Sequence, residues 1–238
     1  MFSDLDETFK KTMEGWYKNN IFPIFEQARG VIIPLGKADK LIPEFGYWWA
    51  TYIKNSVILL ELMLIDKYSN QSAFTMRMLM EISADVLFMS QNQSNVDTFR
   101  EYYVYDPEKI KDSTYQDFVN VADKLILKDD ERHKKTTTAD RIKIAFGSEG
   151  LKYYKYLCCY THLNYIGVIK DIDFSIDRNS SMDYRLEFVK YYPDTFMAMI
   201  RAAENFSGEN DLFDKVDTKK LRTVISDLVS KHSLGIVE

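Results

Sequence analysis

The chain has 238 residues, 46% apolar and 28% charged, a balance that excludes global disorder and suits one large domain or two small ones. Its net charge of −5 gives no general attraction to nucleic acid or to an anionic membrane, so RNA contact needs a local basic patch. Nine Gly and five Pro disfavour a turn-rich all-β fold, and 16 Tyr and 15 Phe, many at helical spacing, favour long helices.

The chain opens on the polar run Phe2 to Lys11 rather than on a secretory signal. Its most apolar run, Ser56 to Ile65, is too short to cross a bilayer and carries Glu61. A disulfide between the adjacent Cys158 and Cys159 is strained, which leaves two reduced thiols. Together these features predict a cytoplasmic protein with no membrane segment.

Ser3 is placed to cap a first helix reaching about Lys18, amphipathic through Leu5, Phe9, Met13 and Trp16. Asn19-Asn20 breaks it, and Pro23 suits the first turn of a shorter second helix ending near Gly30. Pro34, Gly36 and Pro43 mark Val31 to Pro43 as a connector. A long apolar helix over Glu44 to Tyr68 follows, and Ser69-Asn70-Gln71 caps the next. That next stretch, Phe74 to Gln91, is apolar around almost its whole circumference at about 100° per residue, the mark of a buried helix.

After a turn at Asn92 to Asn95, helices run from about Val96 to Tyr105 and from Asp106-Pro107 to about Lys128. Asp129 to Thr138 is a charged loop, and Thr138 caps a helix over Ala139 to Phe146 that Gly147 closes. An aromatic helix spans Glu149 to Lys170, and Asp171 to Ser181 is a short extended piece or ordered loop. The last two helices cover Met182 to Phe206 and Asn210 to His232. The resulting expectation is an all-α, single-domain bundle of about eight to ten helices around the buried helix 74–91. Residues 1–206 form the bundle, and 207–238 a C-terminal helix packed on it or used for assembly.

Familiar catalytic patterns are absent: no phosphate-cradling Gly-rich loop, no HExxH, no paired CxxC and no nucleophile elbow. Cys158 and His162, at i, i+4, make half a zinc site at most, so no metal and no cofactor is predicted. The best lead is a charged stripe on the buried helix, Arg77, Glu81 and Asp85 at i, i+4 and i+8. Buried charges must be paired or used, because an unpaired one is costly.

The later aromatic helix offers a partner face in Tyr153, Tyr156, Tyr160 and Asn164, with His162 on the neighbouring side. Packed together, the two faces form a polar network that fixes helix register. In a sharper version they form a pocket. There Arg77 holds an anion, His162 transfers a proton, Glu81 orients, and Asp85, Tyr156, Tyr160 and Asn164 line the ligand. Separately, Arg132, Lys134, Lys135, Arg141 and Lys143 form a basic run able to contact phosphates, although no aromatics interleave with it.

Arg77-x-x-x-Glu81, followed by Tyr154 to Asn164 reading YKYLCCYTHLN, resembles a family of bacterial helical proteins with an R-x-x-x-E helix and a later Y-x-x-L-x-x-x-x-H helix. The resemblance covers about Glu44 to Lys170. More remotely it is similar to the HEPN helical superfamily, which contains toxin and antiviral ribonucleases as well as inactive scaffolds. The ribonucleases carry a compact R-x(4–6)-H motif that does not stand here: Arg132 and His133 are adjacent, and Arg77 lies far from His162. The resemblance thus implies a binding and assembly protein in a bacterial defence or stress setting, acting as a homo-oligomer or with a protein partner. The alternatives are a metal-independent ribonuclease using Arg77 and His162, and a small-molecule sensor using the polar, aromatic pocket.

Overall fold

The computed structural model describes residues 15–63, 69–97, 136–161 and 189–233, with side chains for 15–60, 71–97, 136–159 and 189–227. All regular structure among them is helical, arranged as an all-α multi-helix bundle. Residues 15–20 are helical and lead into α1, Phe22–Lys37, which has Pro23 in its first turn. Helix α1 then runs through Gly30 and Pro34 into the expected connector, leaving only residues 38–42 to link it to the next helix. Ile24, Phe25, Ala28, Ile32 and Leu35 are buried along it, so packing sustains the helix across the proline. The carbonyl that Pro34 cannot serve belongs to Gly30, which is exposed to water and carries no Cβ.

Helix α2 is Pro43–Met63 and α3 is Ser69–Ser90, the latter starting five residues before Phe74. Helix α3 is the centre of the bundle, since α2, α4 (Thr138–Thr161) and α5 (Tyr192–Ser207) all pack on it. Its Ala73, Met76, Leu79, Met80, Ala84, Val86 and Met89 are buried. Two of its buried hydroxyls are satisfied within the helix: Ser83 Oγ donates to the Leu79 carbonyl at 2.6 Å and Ser90 Oγ to that of Leu87 at 2.7 Å. After it, the Asn92 side chain accepts from the Asn95 N–H at 2.9 Å and starts a helical turn over 93–97.

Helix α4 is capped by Thr137, one residue before the expected Thr138. The Asp140 N–H donates to Thr137 Oγ1 and the Thr137 N–H to Asp140 Oδ2, each at 3.1 Å, a reciprocal box that satisfies two helix-end donors. The hydrogen bonds from Thr137 hold the Asp140 carboxyl below its ordinary range. Two arms meet in α4 at Gly147, whose φ of 72° and ψ of −173° are non-helical and favour glycine. Gly150 completes the bend, because a Cβ there would fall 2.2 Å from Phe146 Cβ on the other arm.

The expected helix from Met182 does not run unbroken to Phe206. Residues 189–191 form a turn and α5 starts at Tyr192, where Pro193 needs no N–H partner in the first turn. Gly208, with φ 71°, ends α5 within a residue of the expected end at Phe206. The final expected helix is likewise two pieces, α6 (Leu212–Lys215) and α7 (Thr218–Ser233), parted at the extended Val216. Asp217 Oδ1 restarts the chain by accepting from the Lys220 N–H at 2.9 Å. Leu212, Val216, Leu221 and Ile225 are buried in the same core as the other helices.

Candidate functional site

Arg77, Glu81 and Asp85 share one side of α3 but sit at different depths. Arg77 Nε donates to Glu81 Oε1 at 2.8 Å, with the two side chains 23% and 31% exposed. The same oxygen accepts from the Tyr154 hydroxyl of α4 at 2.6 Å. The Arg77 guanidinium carbon lies 5.7 Å from the centre of the Tyr154 ring, adding a cation–π contact to the ion pair. Cys158, half-buried, follows one turn later.

The electrostatics follow from this geometry. Burial pushes the Tyr154 hydroxyl well above its ordinary range, and the Glu81 carboxylate that accepts its proton pushes it further. Burial works against the Arg77 charge, but hydrogen bonding and attraction to Glu81 outweigh it and raise the guanidinium. Burial raises the Cys158 thiol despite the opposing Arg77 charge, so this cysteine is a poor nucleophile at neutral pH.

Asp85 lies at the deep end. Its Oδ1 accepts a short charge-assisted bond from Arg141 Nε, in a pair only 7% and 1% exposed. Arg141 Nη1 donates to the Thr136 carbonyl at 3.0 Å and Nη2 to Thr138 Oγ1 at 3.2 Å. The first arm of α4 therefore reaches Asp85 and the second reaches Glu81. Arg141 is not offered to phosphates from solvent as the basic run predicts, because its guanidinium neutralises a core carboxylate. Lys143, two residues on, is exposed. Asp85 likewise faces a cation of its own chain rather than an open ligand pocket.

Of the expected partner face, Tyr156 is half-buried and stands with Tyr153, their ring centres 6.2 Å apart. The side chain of Tyr160, together with His162, Asn164, Arg132, Lys134 and Lys135, lies outside the described residues. The contact with Glu81 is made by Tyr154, which the i, i+3, i+7 tyrosine pattern passes over. Gly150, Tyr154 and Leu157, at i, i+4 and i+7, are all buried and form the inward side of this arm.

Among the described residues no group of three His, Cys, Asp or Glu side chains converges to hold a metal ion. No described helix is long and apolar enough to cross a membrane. A groove of about 700 Å3 opens elsewhere, where Gln27 of α1 and Met197 of α5 meet the turn between α6 and α7; none of its lining residues belongs to α3 or α4. No protein-family model, curated protein or solved structure matches the chain.

Proposed function

We propose that the chain is a helical binding and assembly protein, with the charged stripe of α3 serving to lock its helices together. The observation that carries this reading is the fate of the stripe: all three charges are consumed inside the protein, Arg77 and Tyr154 by Glu81, and Asp85 by the sealed Arg141. Charges neutralised in this way fix which helices meet and in what register. The partner is a second copy or another protein. The setting, bacterial defence or stress, rests on the resemblance of Arg77-x-x-x-Glu81 and Tyr154 to Asn164 alone.

The test compares wild type with Arg77→Ala and His162→Ala in RNA cleavage without metal, alongside thermal unfolding and light scattering. The expected result is no cleavage above buffer by the wild type, and a lower melting temperature for Arg77→Ala. Metal-independent cleavage by the wild type that disappears in both variants, while both remain folded, overturns the reading in favour of a ribonuclease.

A further inference from the structure

Lys155, Lys152, Tyr156 and Tyr153 follow one another around the solvent side of the second arm of α4, at about 100° per residue. The turn before α5 adds Tyr191 beside Tyr153, preceded in the chain by the exposed Lys190. The three rings form a ladder. Tyr153 stacks on Tyr191 with centroids 4.5 Å apart and planes 28° from parallel, and Tyr156 stands 6.2 Å from Tyr153. All three tyrosines are half-buried, and Lys152, Lys155 and Lys190 are exposed.

The carboxylates nearby are already engaged. Glu149 pairs with Lys152 at 2.6 Å, with both side chains more than 70% exposed, so this pair exchanges partners at little cost. Asp194 is held by Arg222 at 2.7 Å. Lys155 and Lys190 take part in no ion pair among the described residues.

Tyrosines alone would also suit a protein partner, but lysine is depleted at protein–protein interfaces, whereas exposed lysines flank the rings here. A row of rings with cations at its side matches an unpaired strand, whose bases stack on rings while its phosphates meet ammonium groups. A duplex hides its base faces and cannot use the ladder. We propose that this face, Tyr156–Tyr153–Tyr191 with Lys152, Lys155 and Lys190, is a binding platform for single-stranded nucleic acid. It places aromatics beside cations, which the run from Arg132 to Lys143 lacks. It is also independent of the inner stripe, so its failure leaves the assembly reading standing.

The experiment is fluorescence anisotropy on the full chain with labelled short oligo(U), oligo(dT) and a duplex of equal length, at about 50 mM and about 200 mM salt. Both single strands are expected to bind more tightly than the duplex and to weaken as salt rises. Tyr191→Ala weakens single-strand binding roughly five- to a hundredfold, the effect of losing one base–aromatic stack, and Tyr191→Trp retains it. Lys155→Gln with Lys190→Gln lowers the salt slope by about 1.4, two phosphate contacts at about 0.7 each. A preference for oligo(U) identifies RNA as the ligand, a preference for oligo(dT) identifies DNA, and either supports the platform. Absence of single-strand binding overturns it. So does binding that Tyr191→Ala leaves unchanged, or a duplex bound as well as the single strands.

Discussion

At one end of the α3 stripe, Asp85 and Arg141 are shut in the core; at the other, Arg77 and Glu81 sit half in water beneath Tyr154. Both are carboxylate–guanidinium pairs whose carboxylates share one side of α3 about a turn apart, Arg77 standing on α3 and Arg141 reaching in from α4, yet depth gives them different work. In the core each partner is indispensable to the other, because a lone buried charge has no water to fall back on. Near the surface, solvent screens the pair and the neutral tyrosine contributes as much as the second charge. Helical periodicity therefore assigns a side chain its direction, and the thickness of what packs above it assigns its energetic role.

The sharpest way to break this contrast is Arg141→Met. Stranding Asp85 should cost about 3–5 kcal/mol in urea unfolding, and the double variant with Asp85→Leu should recover most of that loss. If the single variant unfolds like the wild type, the deep pair is no different from a surface one. Gly150→Ala acts on the bend that lets one helix reach both ends. Its Cβ meets Phe146 Cβ, and relieving that overlap should cost about 1–3 kcal/mol.

Tyr154→Phe removes only the hydroxyl that donates to Glu81 and should cost about 1 kcal/mol in the same assay. The hydroxyl also has a signature in alkali. Its folded-state pKa is raised, so its contribution is complete below about pH 10, where an unfolded tyrosine titrates, and is lost as pH climbs above that. The difference between wild type and Tyr154→Phe should therefore shrink above about pH 10. Smallest is Arg77→Ala, at about 0.5 kcal/mol and falling with added salt. A loss there as large as that of Arg141→Met would erase the distinction between the two ends.

Much of the scaffold was legible from residue patterns. The all-round apolar character of Phe74 to Gln91 predicted the helix on which α2, α4 and α5 pack, and Gly147 marked where α4 bends. Pro34 misled, because a proline's local penalty says nothing about Ile32 and Leu35 being buried beside it. The site was legible in direction but not in depth. Arg141 resembles its neighbours in a basic run, and only Asp85, 56 positions earlier, makes it a core residue. Tyr154 was hidden for the opposite reason: adjacent tyrosines at 153, 154 and 156 offer several helical faces, and the neighbour across the interface decides which one turns inward.

The bend at Gly147 also fixes a phase. Arg141 anchors the first arm and Tyr154 the second, so the short link between them sets the rotation of everything that follows. One residue inserted after Ser148 would turn the second arm by about 100° and advance it about 1.5 Å. Tyr153 would then occupy the place above Glu81, and the stack with Tyr191 would come apart. Point substitutions along this helix are thus local events, whereas a change in its length is read at both of its faces at once.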